Sequence, residues 1–504
     1  MKLCTAAQSR AMDLSAINEY SISGITLMEA ASRRLFDAAV SRALGTVAVF
    51  CGGGNNGGDG FGAAWLLAES GIPVRVFFIG DENKMTADSA EMRRRFTSCG
   101  GMVEPFDPEN SDIISYTLKS SVIIDALFGI GFSSAPRGSS RDAIELINSS
   151  SAFVIAADIP SGVDADTGLI YGEAVRADLT ITFNAAKPGH FVLPGALNCG
   201  ELRVADIGIP EEIMRSARYN VFAVTEDDIA LPKRRADAHK GDFGRDLIIA
   251  GSVGYTGAPC LASRAAVRSG AGLVTLCVPE KIYPIIASKC AEEMPTPAAS
   301  DENGLFAVGA KQKVLSLLEK ADACLMGPGL GRSAAVTEMV NAVIRASKVP
   351  LVIDADGINA VAGNIDILDE ASCPIILTPH DGEFLRLGGD VSEGRVQAAR
   401  DFAKKHRCTL VLKGRGTVSA FPDGEAYINT TGNPGMAKGG SGDVLAGMIV
   451  SLLGQALPLK DAVTAAVYLH GKAGDMCRDA LGEYFMTPSD ITDGLAAVLK
   501  NATR

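Results

Sequence analysis

The sequence lacks the cysteine patterns that hold a metal or staple a small secreted fold. Its 11 cysteines include no CxxC pair and no cysteine–histidine set at zinc spacing, which excludes a structural zinc domain. Cys51, Cys277 and Cys324 lie within apolar runs, where reduced core cysteines are usually found. We therefore expect a cytoplasmic protein without disulfide bonds.

Long apolar runs and positive charge are also scarce. The most apolar segment, VLAGMIVSLLGQALPL, is interrupted by glycine and is shorter than the roughly 20 residues that cross a bilayer. The first residues, MKLCTAAQSRAMD, lack the apolar core of a signal peptide. The net charge of −12 argues against a surface for nucleic acid or anionic membranes. We expect no membrane and no nucleic-acid partner, and we expect a homo-oligomer.

The chain does have length and alternating apolar runs. Its 504 residues exceed one ordinary core, so two or three domains are expected. Short β-rich runs such as VRVFFIG, FVIAADIP, DLIIAG and PLVIDADG alternate with helical patterns in both halves. Continuous apolar runs are typical of parallel strands covered on both faces. The pattern predicts a doubly wound α/β fold twice over. The apolar periodicity lapses in GIPEEIMRSARYNVFAVTEDDIALPKRRADAHKG, which places the domains at 1–220 and 221–504.

Polar residues collect where strands end in both halves: Asp125, Asp158, Asp354 and His380. In open parallel sheets the ligand crevice lies outside the carboxyl ends of the strands. Any one of these aspartates is equally consistent with a helix cap. Several converging in one domain indicate a site, so we predict one in each domain.

The segment VAVFCGGGNNGGDGFGAAWLL places a glycine-rich loop between a strand and a helix. Its glycines let a ligand approach the backbone amides, and the helix start favours an anion. It is neither a dinucleotide fingerprint nor a lysine-containing phosphate loop. Asn55 and Asn56 add amide oxygens that suit a cation, and Asp125 and Ser161 are candidates to complete an oxygen cage. The alternative is an asparagine turn bonded locally.

The segment NTTGNPGMAKGGSGDVLAGMIVSLL carries a denser glycine loop into an apolar helix. Around Gly439, Gly440 and Gly442 several free amides point at one spot, and Asp443 enters at the helix start. Hydrogen bonds there favour the ionised carboxylate. It can take a proton from a hydroxyl while the amides hold a migrating phosphoryl group. The plainer interpretation is a first-turn acid facing the helix dipole.

The motifs GGGNNGGDG, DALFGIGFSSAPRG, ADIPSGVDADTG and TFNAAKPG, in this order and spacing, resemble the NAD(P)H-hydrate epimerase family. The resemblance covers most of residues 1–220 and implies a Rossmann-like fold whose asparagine loop binds the nucleotide beside potassium (K+). It implies K+ ligands at Asn56, Asp125 and Ser161, and an acid/base role for Asp158, which also contacts substrate. The implied substrate loops are Asn55, Asn56, Gly57, Gly58, Asp59, Gly129, Ile130, Gly131, Phe132, Ser133, Ser134 and Ala135.

Chemistry supports the role of Asp158. The hydrate carries water added across a ring double bond, which leaves a hydroxyl on carbon 6 beside the ring nitrogen. Inverting that centre needs proton transfer at the hydroxyl while the nitrogen lone pair helps the carbon–oxygen bond break. One carboxyl group in a partly dry pocket can do this. Lys187 of AAKPGH is either near this acid or a solvated loop lysine, and the sequence leaves that open.

The loop GGSGD resembles the anion hole of ribokinase-like phosphotransferases, with Ser441 where many relatives have threonine. With GSVGYTGAP, MGPGLG, VIDADGIN, LTPHDGEF and VLKGRGT, the loop resembles the ADP/ATP-dependent NAD(P)H-hydrate dehydratases over nearly all of residues 225–500. The resemblance implies a ribokinase-like α/β domain that uses ADP or ATP with Mg2+. Asp443 becomes the general base and a substrate contact; His380 alone is equally consistent with a structural turn. The other implied contacts are Ala258, Gly329 and His380 to the hydrate, and Lys413, Gly414, Arg415, Gly416, Thr417 and Gly442 to the nucleotide.

Together the two resemblances imply repair of hydrated NADH and NADPH. The first domain would interconvert the R and S epimers. The second would dehydrate the S epimer, with ADP the favoured donor and AMP and phosphate released. One alternative is a small-molecule kinase with an accessory module, which would leave a stable phosphorylated product. Another makes the first domain a non-catalytic binding protein, which a missing Asp158 or a broken asparagine loop would have favoured.

Overall fold

The structure, a computed structural model, describes residues 1–132 and 134–503, so Ser133 of the expected substrate loop lies outside the described residues. The chain divides between Val221 and Phe222 into two compact units. We refer to them as the N-terminal and C-terminal units. No helix among the described residues combines the length and the apolarity needed to cross a membrane.

The N-terminal unit alternates strands with helices. Its strands are β1 (Lys2–Leu3), β2 (Val47–Cys51), β3 (Val74–Phe78), β4 (Met102–Pro105), β5 (Val122–Ala126), β6 (Phe153–Ala157), β7 (Leu179–Phe183) and β8 (Glu201–Ala205). Its helices are α1 (Ala6–Tyr20), α2 (Gly24–Val40), α3 (Asn55–Glu69), α4 (Ala87–Ser98), α5 (Ser111–Lys119), α6 (Ser139–Ser149) and α7 (Glu211–Ser216).

The sheet of this unit has the strand order β4-β3-β2-β5-β6-β7-β8, and its neighbouring strands are parallel. Every residue of β2, β5 and β7 is buried, because helices cover both faces as the continuous apolar runs predict. The order reverses between β2 and β5, as in a Rossmann-like doubly wound sheet. This confirms the fold class expected from the sequence, and it places the β2–α3 loop at the switch point.

The C-terminal unit repeats the alternation. Its strands are β9 (Val221–Val224), β10 (Arg245–Ile249), β11 (Leu273–Pro279), β12 (Met294–Ala298), β13 (Ala323–Met326), β14 (Leu351–Ile353), β15 (Ile375–Leu377), β16 (Thr409–Leu412), β17 (Val418–Ala420) and β18 (Ala426–Asn429). Its helices are α8 (Gly257–Arg268), α9 (Tyr283–Ala287), α10 (Ala310–Leu318), α11 (Ala334–Ala346), α12 (Asp356–Ala362), α13 (Asp381–Arg386), α14 (Arg395–Lys405), α15 (Ser441–Gly454), α16 (Leu459–Leu481) and α17 (Pro488–Ala502).

Its strands follow the order β9-β18-β17-β16-β15-β14-β13-β10-β11-β12. The pairs from β16 to β12 are parallel, and β17 and β18 add an antiparallel hairpin beside β16. Helix α15 packs on this sheet with its apolar residues buried, among them Val444, Met448 and Leu452. The carboxyl ends of β13, β14, β15 and β16 therefore lie side by side, and the second site is built there.

Candidate active sites

The asparagine loop holds the start of α3 tightly against the end of β2. A Cβ atom on Gly57 would lie 1.8 Å from the carbonyl oxygen of Gly52, and one on Gly58 would lie 2.5 Å from the sulfur of Met28. A side chain at position 57 would displace backbone, and one at position 58 would displace the Met28 side chain and crowd the Cα atom of Ser89. The loop glycines thus fix where the side chains of Asn56 and Asp59 lie.

The three residues expected to bind a cation meet around the backbone of Phe128. Asn56 Nδ2 donates to the carbonyl oxygen of Phe128 at 3.0 Å, and Ser161 Oγ donates to Asp125 Oδ1 at 2.6 Å and accepts from the Phe128 amide at 2.9 Å. Among the described residues nothing bonds to the buried Asn56 Oδ1. Burial raises the pKa of Asp125 to about 6, although hydrogen bonds from Ser161 lower it. An orphaned amide oxygen beside a buried carboxyl group fits a cation.

Asp158 lies at the end of β6 in a buried hydrogen-bond network. Its backbone is left-handed, with φ 64, a conformation that is costly outside glycine and is concentrated at functional sites. Its Oδ1 accepts from Thr182 Oγ1 at 2.8 Å, from the Phe183 amide at 3.3 Å and from Lys187 Nζ. Lys187 is only 1% exposed, so it is not a solvated loop lysine. Burial would raise the pKa of Asp158, but the charge and hydrogen bond of Lys187 lower it overall.

His190 fixes the backbone of both partners. The amide of Lys187 donates to His190 Nδ1 at 3.0 Å, and His190 Nε2 lies 2.9 Å from the carbonyl oxygen of Asp158. Burial and the charge of Lys187 lower the pKa of His190 to about 4, so the ring is neutral. Because Nδ1 accepts, the ring proton is on Nε2, which donates to Asp158.

Two further carboxyl groups face this network. Burial raises the pKa of Asp59 well above its usual value, and the charges of Asp158 and Asp13 raise it further. Burial and the charge of Asp158 raise the pKa of Asp13 to about 6. The site thus holds one carboxyl group with a lowered pKa beside two whose pKa values are raised.

In the C-terminal unit, α15 begins with unbonded amides. Gly440 is left-handed, with φ 102, and Ser441 Oγ donates to the carbonyl oxygen of Met436 at 2.7 Å. Within the described residues, nothing accepts from the amides of Gly439, Gly440, Gly442 and Asp443. Several free amides at the start of a long helix form a binding place for an anion.

A group of four residues, here called the strand-end clasp, joins neighbouring strands beside this helix start. Its members are Gly327 after β13, Asp354 after β14, Thr378 after β15 and Lys413 after β16. Asp354 Oδ1 accepts from Thr378 Oγ1 at 2.7 Å and from Lys413 Nζ at 2.8 Å. A Cβ atom on Gly327 would lie 1.8 Å from the carbonyl oxygen of Asp354.

The clasp sets the electrostatics of Asp443. Burial, together with the charge of Asp354 and against that of Lys413, raises the pKa of Asp443 to about 7. The expectation that hydrogen bonds favour the ionised carboxylate is therefore wrong, because burial dominates. Burial would also lower the pKa of Lys413, but Asp354 and Glu383 raise it overall. A Cβ atom on Gly442 would lie 3.3 Å from Lys413 Nζ, so the ammonium group lies beside the amides that face Asp443.

Comparison with known proteins decides the family. Residues 247–496 match the NAD(P)H-hydrate dehydratase family, and residues 24–189 match the YjeF-related protein N-terminus family. The bifunctional NAD(P)H-hydrate repair enzymes of Thermofilum pendens and Moorella thermoacetica are each 39% identical to this chain, over 99% of it and 96% and 97% of their own lengths. The chain belongs to the family of bifunctional NAD(P)H-hydrate repair enzymes. A solved ribokinase-like superfamily protein from Enterococcus faecalis, 30% identical with a TM-score of 0.51, covers 56% of this chain and 98% of its own.

The likeness to the Enterococcus protein confirms the ribokinase-like fold expected for the C-terminal unit. In this repair enzyme the residues expected to contact the hydrate lie in two places. A Cβ atom on Gly329 would lie 3.3 Å from that of Ala258 and 2.8 Å from that of Tyr255, so the first two residues are together. His380 pairs with Lys413 through a backbone bridge. Its Nδ1 caps α13 by accepting from the amides of Gly382 and Glu383 at 3.0 and 3.3 Å, and its side chain is 57% exposed, so its contact with the hydrate stays a prediction.

Apart from Gly442, the residues expected to bind the nucleotide follow β16 directly. Lys413 lies in the clasp, whereas Arg415 is exposed and Thr417 closes a tight turn by donating to the carbonyl oxygen of Gly414 at 2.8 Å; Gly416 lies within that turn. In the N-terminal unit Gly129 lies against Asn56, and Phe132 stacks on Phe128. The remaining loop members are Asn55, Gly131, Ser134 and Ala135, which are exposed, and Ile130, which packs against a small buried cluster.

Sequence reasoning missed Asp13, Thr182 and His190. The last two are the first and last residues of the segment TFNAAKPGH, which also contains Lys187. A polar residue on a buried strand and a histidine beside a lysine are signals that a search of that motif for titratable groups would have found. No local signal marks Asp13, which reaches the site from α1 through the tertiary fold.

Proposed function

We propose that residues 1–220 interconvert the R and S epimers of hydrated NADH and NADPH, and that residues 221–504 dehydrate the S epimer at the expense of ADP or ATP. The observation that carries this proposal is a carboxylate near a glycine-rich helix start in each unit. Asp158 is buried and close enough to Asp59 of α3 to raise the pKa of Asp59, and Asp443 is partly buried in the first turn of α15. Asp443 does not cap α15 by a side-chain hydrogen bond, and the hydrogen bonds of Asp158 come from Thr182, Phe183 and Lys187.

In the dehydratase, Asp443 takes the proton from the hydroxyl on carbon 6 while the amides of Gly440 and Gly442 hold the transferring phosphoryl group. Loss of phosphate from carbon 6 and of a proton from carbon 5 then restores the ring double bond. Among the described residues no group of three or more His, Cys, Asp or Glu side chains could hold a metal. Mg2+ bound to the nucleotide phosphates would neutralise their charge.

In the epimerase, Asp158 Oδ2 acts on the carbon 6 hydroxyl while the asparagine loop positions the nucleotide. The oxygens of Asn56, Asp125, Ser161 and Phe128 fit K+, and the unbonded Asn56 Oδ1 supports this assignment. A cation here would offset the burial of Asp125 and order the loop that carries Asn56.

The test supplies purified protein with mixed epimers of hydrated NADH and either ADP or ATP, and follows NADH absorbance and free phosphate together. We expect equal amounts of NADH and phosphate, with full conversion of both epimers. An accumulating phosphorylated product without NADH would instead identify a small-molecule kinase. Comparing the initial rates with ADP and ATP tests the expected preference for ADP.

A further inference from the structure

Two hydrogen-bonding positions in the network around Asp158 have no partner among the described residues. Lys187 Nζ donates to Asp158 Oδ1 and to Thr182 Oγ1, the latter at 2.8 Å. Among the described residues no acceptor takes the third hydrogen of this ammonium group, and no donor reaches Asp158 Oδ2. One free acid hydrogen and one free carboxylate oxygen therefore belong to the same buried pair.

Lys187 is held too firmly to be an incidental partner. Its side chain is 1% exposed, and its amide donates to His190, which in turn donates to the carbonyl oxygen of Asp158. These contacts close a ring that keeps Asp158 left-handed. A buried ion pair alone is weak evidence for a stabilising role, because desolvation offsets much of the attraction. Strained backbone at the partner points to function instead.

We propose that Lys187 is a second catalytic residue of the epimerase, supplying the proton that lets the carbon 6 hydroxyl leave. This inference rests on the proposed epimerase function of Asp158. Thr182, which touches both side chains, is a positioning residue.

The step balances within the pair. The carbon–oxygen bond breaks, its electron pair goes to oxygen, and the oxygen takes a proton from Lys187 Nζ and leaves as water. The ring nitrogen lone pair forms a double bond to carbon 6. Water then adds to the other face and gives its proton to Asp158 Oδ2. Rotation of the carboxyl group then brings that proton to the oxygen position that faces Lys187 Nζ. Its transfer to nitrogen leaves both groups as they began.

The decisive variants are Lys187→Met and Lys187→Arg, each assayed for both activities in the same preparation. Loss of general acid catalysis should lower kcat for epimerisation by about 10²–10⁴ in Lys187→Met. Dehydration of the pure S epimer should be unchanged. Lys187→Arg should stay similarly slow, because a guanidinium group keeps its charge but does not release its proton. If either variant epimerises within tenfold of the wild type, the inference is wrong.

Further measurements separate catalysis from support. In H₂¹⁸O each early inversion should place one solvent oxygen on carbon 6, and retention of the original oxygen would overturn the step.

Thr182→Val should slow epimerisation more than Thr180→Val. Thr180 is a matched control, because its buried hydroxyl on the same strand donates to the carbonyl oxygen of Cys199 instead. Equal effects would remove Thr182 from its role. Epimerisation that survives Asp158→Asn would refute the proposed function itself, whereas a failure confined to the Lys187 variants would refute only this inference.

Discussion

The two units treat their central carboxylates in opposite ways. Asp158 has Lys187 as a direct hydrogen-bonded partner, and the pKa of Asp158 is lowered despite burial. Asp443 has a lysine nearby too, but Lys413 is bonded to Asp354, and the pKa of Asp443 rises to about 7. The pKa of an aspartate at this edge of an α/β sheet therefore depends on whether the nearby lysine is hydrogen-bonded to that aspartate or to another carboxylate.

This difference has a chemical consequence. A carboxylate kept ionised by a bonded ammonium group can exchange protons with that group directly, which suits a reversible inversion. A carboxylate whose pKa is near 7 takes a proton more readily from a hydroxyl, since general base catalysis is most effective near the working pH. Variants that alter one site at a time can test the contrast.

The largest expected effect is at Asp443. Asp443→Asn should lower the rate of dehydration by about 10²–10⁴, because it removes the general base while leaving the amides that bind phosphate. Nucleotide affinity, measured by calorimetric titration, should change little. Dehydration at the wild-type rate would remove Asp443 from the mechanism.

Asp158→Ala should slow only the inversion, lowering the rate of epimerisation by about 10²–10³. Mixed epimers with ADP or ATP should then give a fast phase and a plateau, since one epimer is consumed and the other is stranded. A trace of wild-type protein should release the plateau. Early rates decide the result, because slow spontaneous epimerisation continues throughout. Consumption of both epimers at the wild-type rate would place the acid/base group elsewhere.

Asp125→Ala tests the cation at the first site. Removing this oxygen should weaken K+ activation of epimerisation by about 10–100-fold, measured by titrating K+ at constant ionic strength. Dehydration of the pure S epimer serves as the internal control. If neither the substitution nor removal of K+ changes the rate of epimerisation, the oxygen cage binds no functional cation.

The pH dependence of dehydration should follow Asp443. The base must be ionised, so kcat/KM should fall as the pH falls through about 7. Asp354→Asn should move this midpoint to lower pH, because it removes a charge that raises the pKa of Asp443 and frees Lys413 to lower it. A midpoint that stays fixed would contradict the electrostatic role of the clasp.

Asp246, another buried carboxyl group, extends the comparison to stability, and its substitution should have the smallest effect. Asp246 is 1% exposed, and among the described residues neither of its oxygens has a partner; burial raises its pKa well above the usual value. The folded state therefore holds this proton to higher pH than the unfolded state does, so stability falls as pH rises above the unfolded pKa. Asp246→Asn should raise the free energy of unfolding by about 1–3 kcal/mol at pH 7, measured by urea denaturation at several pH values. A gain that does not shrink at acidic pH would contradict this linkage.

The sequence predicted the inner parallel strands, and it missed the edge strands and the β17–β18 hairpin. β4, β8 and β12 are partly exposed, so their residues form no continuous apolar run, and the pattern that marks buried strands is absent. The site residues divide similarly. Asp158 and Asp443 follow from strand ends and glycine loops, whereas the pairing of Lys187 and Lys413 with particular aspartates depends on tertiary contacts.

The strand-end clasp has a dynamic consequence. Its contacts join Gly327, Thr378 and Lys413 to Asp354, so that four adjacent strands are connected. Because the ends are joined, this edge of the sheet cannot fray one strand at a time. Amide hydrogens near the carboxyl ends of β13, β14, β15 and β16 should exchange with solvent together, as a single cooperative opening.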